Sequence, residues 1–168
     1  MWLTKSKWCF SAELFHVKHP SQIRRAQAAD TRKIGEIARA AYAKYVPRIG
    51  REPPPMVADF AAFIDRDVVV VVEEGGEVRG FMIAWPEPET YLIDNLAVDP
   101  GEQKRGFGRM LIEHAVGEAR RLGLPALRLY TNAAMTENLA MYRRIGFIET
   151  HRAVVNGLNR VYMRWVLP

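Results

Sequence analysis

The chain has 168 residues, with 24 lysines and arginines against 19 aspartates and glutamates, a formal net charge of +5. Hydrophobic residues make up 49% and charged residues 26%, a globular composition that excludes a disordered, collagen-like or low-complexity chain. The length fits one domain with a sizeable core. The single cysteine, Cys9, excludes an internal disulfide and a zinc site built on paired cysteines, and it favours a reducing, cytoplasmic location.

The positive charge is concentrated near the start of the chain. Residues 1–25 hold five basic groups and one acidic group, whereas the other 143 residues hold 19 basic and 18 acidic groups. This distribution argues against a nucleic-acid-binding protein, because no basic stripe follows any one predicted element. The longest central apolar run, at 68–72, is far shorter than the ~20 residues of a membrane-spanning helix. We therefore expect neither a nucleic-acid partner nor a membrane partner.

Residues 1–21 differ from the rest and are predicted to be an appendage to a domain at 22–168. They mix tryptophans 2 and 8 with scattered lysines, but they lack the apolar segment and the cleavage site of a secretory signal. Two interpretations stay open for this segment. It is either a packing or dimer arm, which would fit a homodimer, or an artefact of start-site choice with translation beginning near Val17.

Hydrophobic periodicity and capping residues predict strands and helices in a definite order. That order is strand, two helices, three strands, helix, strand, helix and two strands. The ranges are 23–27, then 31–45 and 56–64, then 67–73, 78–85 and 91–98, then 107–122, 126–131 and 136–145, and last 147–155 and 158–166. Pro47 is predicted to end the first helix and to lie in a loop at 46–56. Tight hairpin turns are predicted at Gly75-Gly76 and at Asn156-Gly157.

The start of the helix at 107–122 carries the clearest chemical signal. Gly106 and Gly108 follow a strand, and glycines let a ligand approach the backbone closely. The free N–H groups of a helix N-terminus bind phosphate oxygens. Cations at the same place are Lys104, Arg105 and Arg109. These features predict a pyrophosphate site, the alternative being a glycine-rich helix start without a ligand. A dinucleotide-binding G-x-G-x-x-G is excluded because Leu111 occupies the third glycine position, and a G-K-[ST] ending is missing.

Two motifs resemble those of a known family. The spacing Gln103-x-x-Gly106-x-Gly108 resembles the acetyl-CoA-binding motif [Q/R]-x-x-G-x-[G/A] of the GNAT superfamily of N-acetyltransferases. The segment TNAAMTENLAMYRRIGF at 131–147 is similar to the family's strand–helix segment, with Asn138 and Tyr142 four residues apart. The predicted order of elements from 23 to 167 also matches the family.

This resemblance implies both a fold and an activity. The implied fold class is α/β (α+β), a GNAT-type three-layer fold. Its central sheet would be mixed, mostly antiparallel and twisted, with about six or seven strands flanked by about four helices. The implied activity is transfer of the acetyl group of acetyl-CoA to a primary amine by direct attack in a ternary complex.

The resemblance also implies roles for single residues. Backbone N–H groups of the glycine motif would hold the pyrophosphate, and the strand at 96–98 would splay from its neighbour at a bulge and pair with the pantetheine arm. The N–H of Leu96 or Ala97 would polarise the thioester carbonyl. Tyr142 would be the general acid to the leaving thiolate, the alternative being a core aromatic. The cofactor-binding residues so implied are Leu96, Ala97, Val98, Gln103, Lys104, Arg105, Gly106, Phe107, Gly108, Arg109, Asn138 and Tyr142.

The group that deprotonates the amine is less clearly marked. Some family members carry a glutamate on the central strand, at the position where this sequence has Leu92. Asp94 lies two residues further on and would point to the same face of the strand, so it is the candidate base, acting through water. The alternative is a structural carboxylate. His114 and His151 are weaker candidates, and because neither has a histidine or cysteine partner at i+3 or i+4, no metal site is expected.

The amine-binding site is predicted to involve the loop after the first helix and the ends of the strands. The candidates are Tyr45, Arg48 and Arg51 in the loop, with Trp85, Tyr130 and Asn132 in the same cleft. The arginines suit an acidic or carboxylate-bearing acceptor, although a solvated loop is equally consistent. A small-molecule amine is favoured over a protein α- or ε-amine because no acidic groove is apparent. A catalytically idle acyl-CoA-binding sensor is the remaining alternative, and the presence of Tyr142 argues against it.

Overall fold

The computed structural model describes residues 20–168; the predicted appendage, with Cys9, lies almost entirely outside the described residues. The described elements follow the predicted order, with one additional short helix, Val46–Ile49, between the two predicted after the first strand. The strands are β1 Gln22–Arg25, β2 Val69–Glu74, β3 Glu77–Pro86, β4 Tyr91–Val98, β5 Ala126–Asn132, β6 Ile148–Val155 and β7 Leu158–Val166. The α-helices are α1 Thr31–Tyr42, α2 Val46–Ile49, α3 Phe60–Asp65, α4 Phe107–Arg121 and α5 Thr136–Ile145. No helix in this range has the length and apolar character that crossing a membrane requires.

The seven strands form one mixed sheet in the order β1-β2-β3-β4-β5-β7-β6. Every neighbouring pair is antiparallel except β4 and β5, which are parallel. Helices α1 and α3 pack on one face, where Ile34, Ile37 and Phe60 join one core cluster. Helices α4 and α5 pack on the other face, where Leu111 and Leu139 join a second core cluster. The predicted fold class, a three-layer arrangement around a mixed, mostly antiparallel sheet, is confirmed.

The valine run of β2 shows why the sheet lies in the middle. Val70 and Val72 belong to the core cluster under α4, whereas Val69 and Val71 belong to the one under α1. All four are buried because β2 is covered on both faces. A strand buried on both faces has an unbroken apolar sequence instead of an alternating one, as the sequence showed.

The region between α1 and β2 differs from the prediction. Helix α1 ends at Tyr42, and a 3-10 turn at Ala43–Tyr45 leads into α2. Pro47 therefore does not end a helix but lies in the first turn of the next one, where its missing N–H costs nothing. The second predicted helix, at 56–64, begins only at Phe60, because the chain before it forms a separate proline-rich 3-10 turn.

Both predicted hairpin turns are confirmed. Gly75 and Gly76 have φ values of 62° and 79°, and Asn156 and Gly157 have φ values of 52° and 73°. Type I′ turns need positive φ at both central residues, and this requirement explains the residue types. The turns fix the registers of the β2–β3 and β6–β7 hairpins.

The sheet opens between β4 and β5. The two strands pair only at Tyr91–Ile93 with Leu127–Leu129, and beyond these residues they diverge. On the other side of β4, the register with β3 shifts between Ile83 and Ala84, which leaves Asp94 as an extra, bulged residue. A bulge bends a strand and redirects its side chains. The ends of β4 and β5 therefore stand apart in the middle of the sheet.

Candidate active site

Two cavities, each of about 420 Å³, meet where β4 and β5 diverge. The first, here called the α4 cavity, lies at the start of α4 and is lined by Gln103, Lys104, Gly106, Phe107, Gly108, Leu96, Ala97 and Val98. The second, called the β5 cavity, lies at the end of β5 and is lined by Asp94, Tyr130, Asn132 and Arg160 among others. Four residues line both cavities: Tyr42, Leu96, Asn138 and Tyr142. A molecule in either cavity would therefore reach the Tyr142 side chain.

The start of α4 is shaped for an anion. Gly106 precedes the helix with φ of 92°, and no side chain caps the first turn. The first N–H groups of a helix have no partner within the helix, and the helix dipole makes this end positive. A Cβ at Gly108 would lie 3.8 Å from Val98 Cγ2, an ordinary contact. Backbone conformation therefore calls for glycine at 106, whereas packing does not require it at 108.

The cations that line the α4 cavity are only partly those that the sequence suggested. Lys104 does line it. Arg105 instead donates to Glu74 Oε2 at 2.6 Å and to Glu102, and Arg109 donates to Glu113 at 2.7 Å along the exposed side of α4. These two arginines therefore pair with neighbouring carboxylates and do not line the α4 cavity, and their contact with phosphates stays a prediction. The cations that the sequence analysis missed at this cavity are Lys44 and Arg144.

Tyr142 and Asn138 lie one helical turn apart on α5, facing the junction of the cavities. Asn138 Oδ1 accepts a hydrogen bond of 3.1 Å from the Tyr45 hydroxyl. The Tyr142 ring is buried and packs edge-on against Phe147, with ring centroids 5.6 Å apart. Burial, with a smaller contribution from Tyr45, raises the pKa of Tyr142 to about 12. Its hydroxyl therefore carries a proton throughout the neutral range.

The bulge places polar groups at the junction from the opposite side. Asp94 accepts a hydrogen bond from the Tyr130 hydroxyl, and burial together with this bond raises the pKa of Tyr130. The next residue, Asn95, accepts a bond of 2.9 Å from the Tyr42 hydroxyl, whose pKa burial also raises. Both tyrosines therefore act as donors, and each holds a β4 side chain in place.

The residues predicted for amine binding are divided between different places. Tyr130 and Asn132 do line the β5 cavity together with Asp94. Trp85 lies behind it, stacked on Phe63 with centroids 6.3 Å apart, and Phe63 is the lining residue.

The loop residues of that prediction do not line the β5 cavity. Tyr45 lines the α4 cavity instead. Arg48 makes two bonds of 2.8 and 2.9 Å to Glu137, and Arg51 donates to the carbonyl of Asn156. Arg48 and Arg51 therefore hold the α2 region against α5 and the β6–β7 turn, because carboxylate and carbonyl acceptors lie within their reach there.

Arg160 is the charged residue of the β5 cavity that the sequence analysis missed. It lies on β7 opposite Asn132 of β5, and its guanidinium carbon lies 4.4 Å from the centroid of the Tyr130 ring. Its place in the cavity could be predicted only from its pairing with Asn132, and that pairing cannot be known until the order of the strands in the sheet is known. The histidines lie elsewhere: burial lowers the pKa of His114 on α4, and His151 stacks on Tyr162 at 4.2 Å. Within residues 20–168, no group of three or more potential ligands could hold a metal ion.

Known proteins that resemble this chain share one activity class. The chain is 33% identical over 76 residues to the ribosomal protein bS18-alanine N-acetyltransferase of Escherichia coli K12, covering 45% of this chain and 51% of that protein. It is 32% identical over 107 residues to a peptidyl-lysine N-acetyltransferase of Salmonella typhimurium, covering 64% of this chain and 66% of that protein. The chain thus spans about half to two thirds of the length of these curated relatives.

Solved structures support the fold at lower identity. The bS18-alanine N-acetyltransferase of Escherichia coli superposes with a TM-score of 0.69 at 22% identity, covering 88% of this chain and 94% of that one. The PaiA N-acetyltransferase of Thermoplasma acidophilum, solved in complex with coenzyme A, superposes with a TM-score of 0.71 at 18% identity, covering 88% of this chain and 99% of that one. The sequence model of the acetyltransferase (GNAT) family matches residues 31–147, so the chain belongs to that family.

Proposed function

We propose that the chain transfers the acetyl group of acetyl-CoA to a primary amine by direct attack, with both substrates bound together. The observation that carries this proposal is the meeting of two cavities at Tyr142 and Leu96, in the gap between β4 and β5. One cavity has an uncapped helix start for phosphates, and the other has a carboxylate for an ammonium group. A ternary complex needs this arrangement of two adjoining sites.

The α4 cavity fits the cofactor. The N–H groups at 103–108 would hold the pyrophosphate, with Lys104 and the missed cations Lys44 and Arg144 nearby. Beyond Ile93, the side of β4 that faces β5 has no strand partner, so the backbone of 96–98 would pair with the pantetheine arm. Asn138 would contact the same arm. Acetyl-CoA supplies the activated thioester, and an N–H of Leu96 or Ala97 would stabilise negative charge on its carbonyl oxygen.

Proton transfer falls to Asp94 and Tyr142. The Asp94 carboxylate would bind the ammonium form of the acceptor and take its proton, directly or through one water. As the new C–N bond forms and the C–S bond breaks, Tyr142 would give its proton to the departing sulfur. A thiolate with a pKa of about 8.5, by analogy with cysteine, is stabilised by such a donor. Burial supports this role, because it keeps Tyr142 protonated.

The acceptor is proposed to be a small molecule. The β5 cavity has a volume in the range of small-molecule pockets, and Asp94 lies on its wall. A protein α- or ε-amine is the second candidate, because relatives of this chain are named as alanine and lysine N-acetyltransferases of proteins. The single cysteine supports action in a reducing compartment such as the cytoplasm.

A thiol-release assay tests the proposal. The purified protein is mixed with acetyl-CoA and a panel of amino acids, polyamines, an aminoglycoside and peptides with free α- or lysine amines. We expect thiol release with at least one small amine and slower release with peptides. Faster release with peptides would favour the protein-acceptor alternative. Tight CoA binding without turnover of any amine would instead identify an idle acyl-CoA sensor.

A further inference from the structure

The β5 cavity is lined by one negatively charged and one positively charged side chain. Of the residues that line it, only Asp94 and Arg160 are charged. Neither forms an ion pair with another side chain in the range 20–168, whereas Arg48 and Arg152 each bond to a carboxylate. A charged group inside a largely apolar cavity is costly to desolvate unless a partner arrives. The cavity therefore offers a separate anion and a separate cation to whatever enters it.

One ring fixes the relative positions of the two charges. The Tyr130 hydroxyl donates to Asp94, so the carboxylate lies at the end of the phenol. The Arg160 guanidinium lies over the face of the same ring, 4.4 Å from its centroid. Cation–π contact holds an arginine in place while its N–H donors stay free to bind a carboxylate. The two charges are therefore close neighbours on one rigid support.

The rest of the cavity is mostly apolar. Its walls include prolines 53–55, Phe63, Met135 and Leu158. Such walls suit a hydrocarbon or aromatic side chain, whereas a polyamine or an aminoglycoside would bring further charges that find no partner there. A lysine ε-amine or a peptide N-terminus would satisfy Asp94, but it brings no carboxylate next to the amine for Arg160.

We propose that the acceptor is a free amino acid with an apolar side chain, its ammonium group on Asp94, its carboxylate on Arg160 and its side chain against the prolines and Phe63. This inference rests on the proposed acetyl transfer and specifies its acceptor. This position would bring the amine close to the junction of the cavities. Asp94 lies two residues before Leu96 on β4, and Leu96 lines both cavities. The product is the N-acetyl amino acid, in which the amine charge is lost and the carboxylate is kept.

The experiment compares matched acceptors. L-leucine and L-phenylalanine are each assayed beside their carboxamides and their decarboxylated amines, with acetyl-CoA at saturation. We expect kcat/KM to be at least ~10-fold higher for the free acids, because an arginine–carboxylate pair forms charge-assisted bonds that the other probes lack. The carboxamides have less basic amines than the free acids, and the decarboxylated amines have more basic ones, so a preference for the acids over both cannot come from amine basicity.

Variants assign the preference to Arg160. Arg160→Met is expected to raise KM for the free acids by at least ~10-fold and to leave the carboxamides and the KM of acetyl-CoA unchanged. Arg160→Lys restores part of the preference because it keeps the charge. Asp94→Asn slows acids and carboxamides alike, since both carry the amine. The matched control is Arg152→Met on β6, an arginine outside both cavities, which changes none of these values.

The outcomes separate this inference from the proposed function. Equal kcat/KM for acids and carboxamides, or an equal loss of both in Arg160→Met, overturns the amino-acid acceptor while acetyl transfer stands. If no amine releases thiol, the proposed transfer fails, and calorimetry with L-leucine and L-phenylalanine on the CoA-loaded protein decides the inference. Binding that needs both the carboxylate and Arg160 supports it, and absence of such binding overturns it.

Discussion

Tyr142 combines two properties that a proton donor needs, protonation and access. Its ring lies against Phe147 in the core, and burial raises its pKa to about 12. Its position at the junction of the α4 and β5 cavities would give it access to both proposed substrates. A phenol in the core alone would be structural, and a phenol at the surface would lie far from the reacting groups.

Replacing Tyr142 with phenylalanine tests the proton transfer. Tyr142→Phe keeps the ring and removes only the hydroxyl, so we expect kcat to fall by at least ~10-fold while the affinity for CoA is retained. Steady-state kinetics and calorimetry with CoA measure the two quantities. Tyr91→Phe is the control, because Tyr91 is also a buried tyrosine but lines neither cavity. An unchanged kcat in Tyr142→Phe would remove this residue from the mechanism.

Residues of the site differ in how far the sequence could predict them. Asn138 and Tyr142 follow from helical spacing, since residues four apart share a face of any helix. Arg160 reaches the same site from β7, and no local pattern shows that β7 lies beside β5. Arg105 shows the converse, because its position in the motif is local but its partner Glu74 lies on β2, far away in the sequence. Local spacing therefore predicts placement on an element, and tertiary pairing decides contact.

At the scale of elements, two side-chain contacts beside the α4 cavity join α5 to the segment 45–48, which includes the start of α2. Arg48 of α2 makes a bidentate pair with Glu137, and Tyr45 donates to Asn138. The Arg48 guanidinium lowers the pKa of Glu137 to about 2. The pKa of Glu137 in the folded protein is below the ordinary value of glutamate. The pairing with Arg48 therefore stabilises the fold at pH values above that ordinary value, and this stabilisation is lost as the pH falls towards 2.

We therefore expect Arg48→Gln to raise the pKa of Glu137 towards about 4.3, the ordinary value of glutamate, while the hydrogen bonds from its own backbone N–H and from Thr136 still lower it. A titration of the side-chain carboxyl carbons by nuclear magnetic resonance measures this change. Arg152→Gln serves as the control, because its carboxylate partner is Glu149 and the pKa of Glu137 should not move. A Glu137 pKa that stays near 2 in Arg48→Gln would show that another group holds this carboxylate.

The two motif glycines of α4 should respond in opposite ways to alanine. Gly106 has φ of 92°, so Gly106→Ala is expected to lower the free energy of unfolding by about 1–2 kcal/mol, the cost of a left-handed conformation. Gly108 lies inside the helix with room for a Cβ, so Gly108→Ala should not lower stability. Urea unfolding of both variants without ligand measures the difference. Equal losses would mean that packing, not backbone conformation, selects these glycines.

Element order and hairpin turns were predictable because each depends on residues close in sequence. The valine run, the two type I′ turns and the glycine stop after α5 are all local signals. The end of α1 was not predictable in this way. Tyr42 and Tyr45 bond to Asn95 and Asn138, and Pro47 fits equally a helix end and a helix start. The choice depends on packing against β4 and α5, which the local sequence does not contain.

At the scale of the molecule, the sheet consists of two parts that are weakly joined. Strands β1–β4 and strands β5–β7 pair through only three residues on each side, Tyr91–Ile93 and Leu127–Leu129. The N–H and C=O groups of β4 that face β5 beyond this point have no strand partner. A ligand that pairs with them would add bonds across the gap between the parts.

We expect CoA binding to protect this gap from hydrogen exchange. Amides at 96–98 and at 103–108 should exchange more slowly in the complex, and the whole protein should gain about 2.7 kcal/mol at a free CoA concentration of 100 Kd. Hydrogen-exchange mass spectrometry and thermal unfolding measure both effects. The Asn156-Gly157 turn is the internal control and should not change. Thermal stabilisation with no protection at 96–98 would place CoA elsewhere.

The family fold was predictable from the sequence as a whole, because the motif spacing and the order of elements agreed over nearly all the described chain. The two-cavity arrangement was not. It depends on where β4 and β5 stop pairing. An apolar strand sequence does not show how many of its residues form backbone hydrogen bonds with the neighbouring strand.

The opening of the sheet has a consequence for anyone who diversifies this protein. Much of the cofactor contact proposed at β4 and α4 comes from main-chain atoms, which most side-chain replacements leave in place. Selectivity for the amine would depend instead on a few side chains, chiefly Asp94, Arg160 and the proline wall at 53–55. A mutant library restricted to the β5 cavity would therefore sample new acceptors while every member kept the same donor.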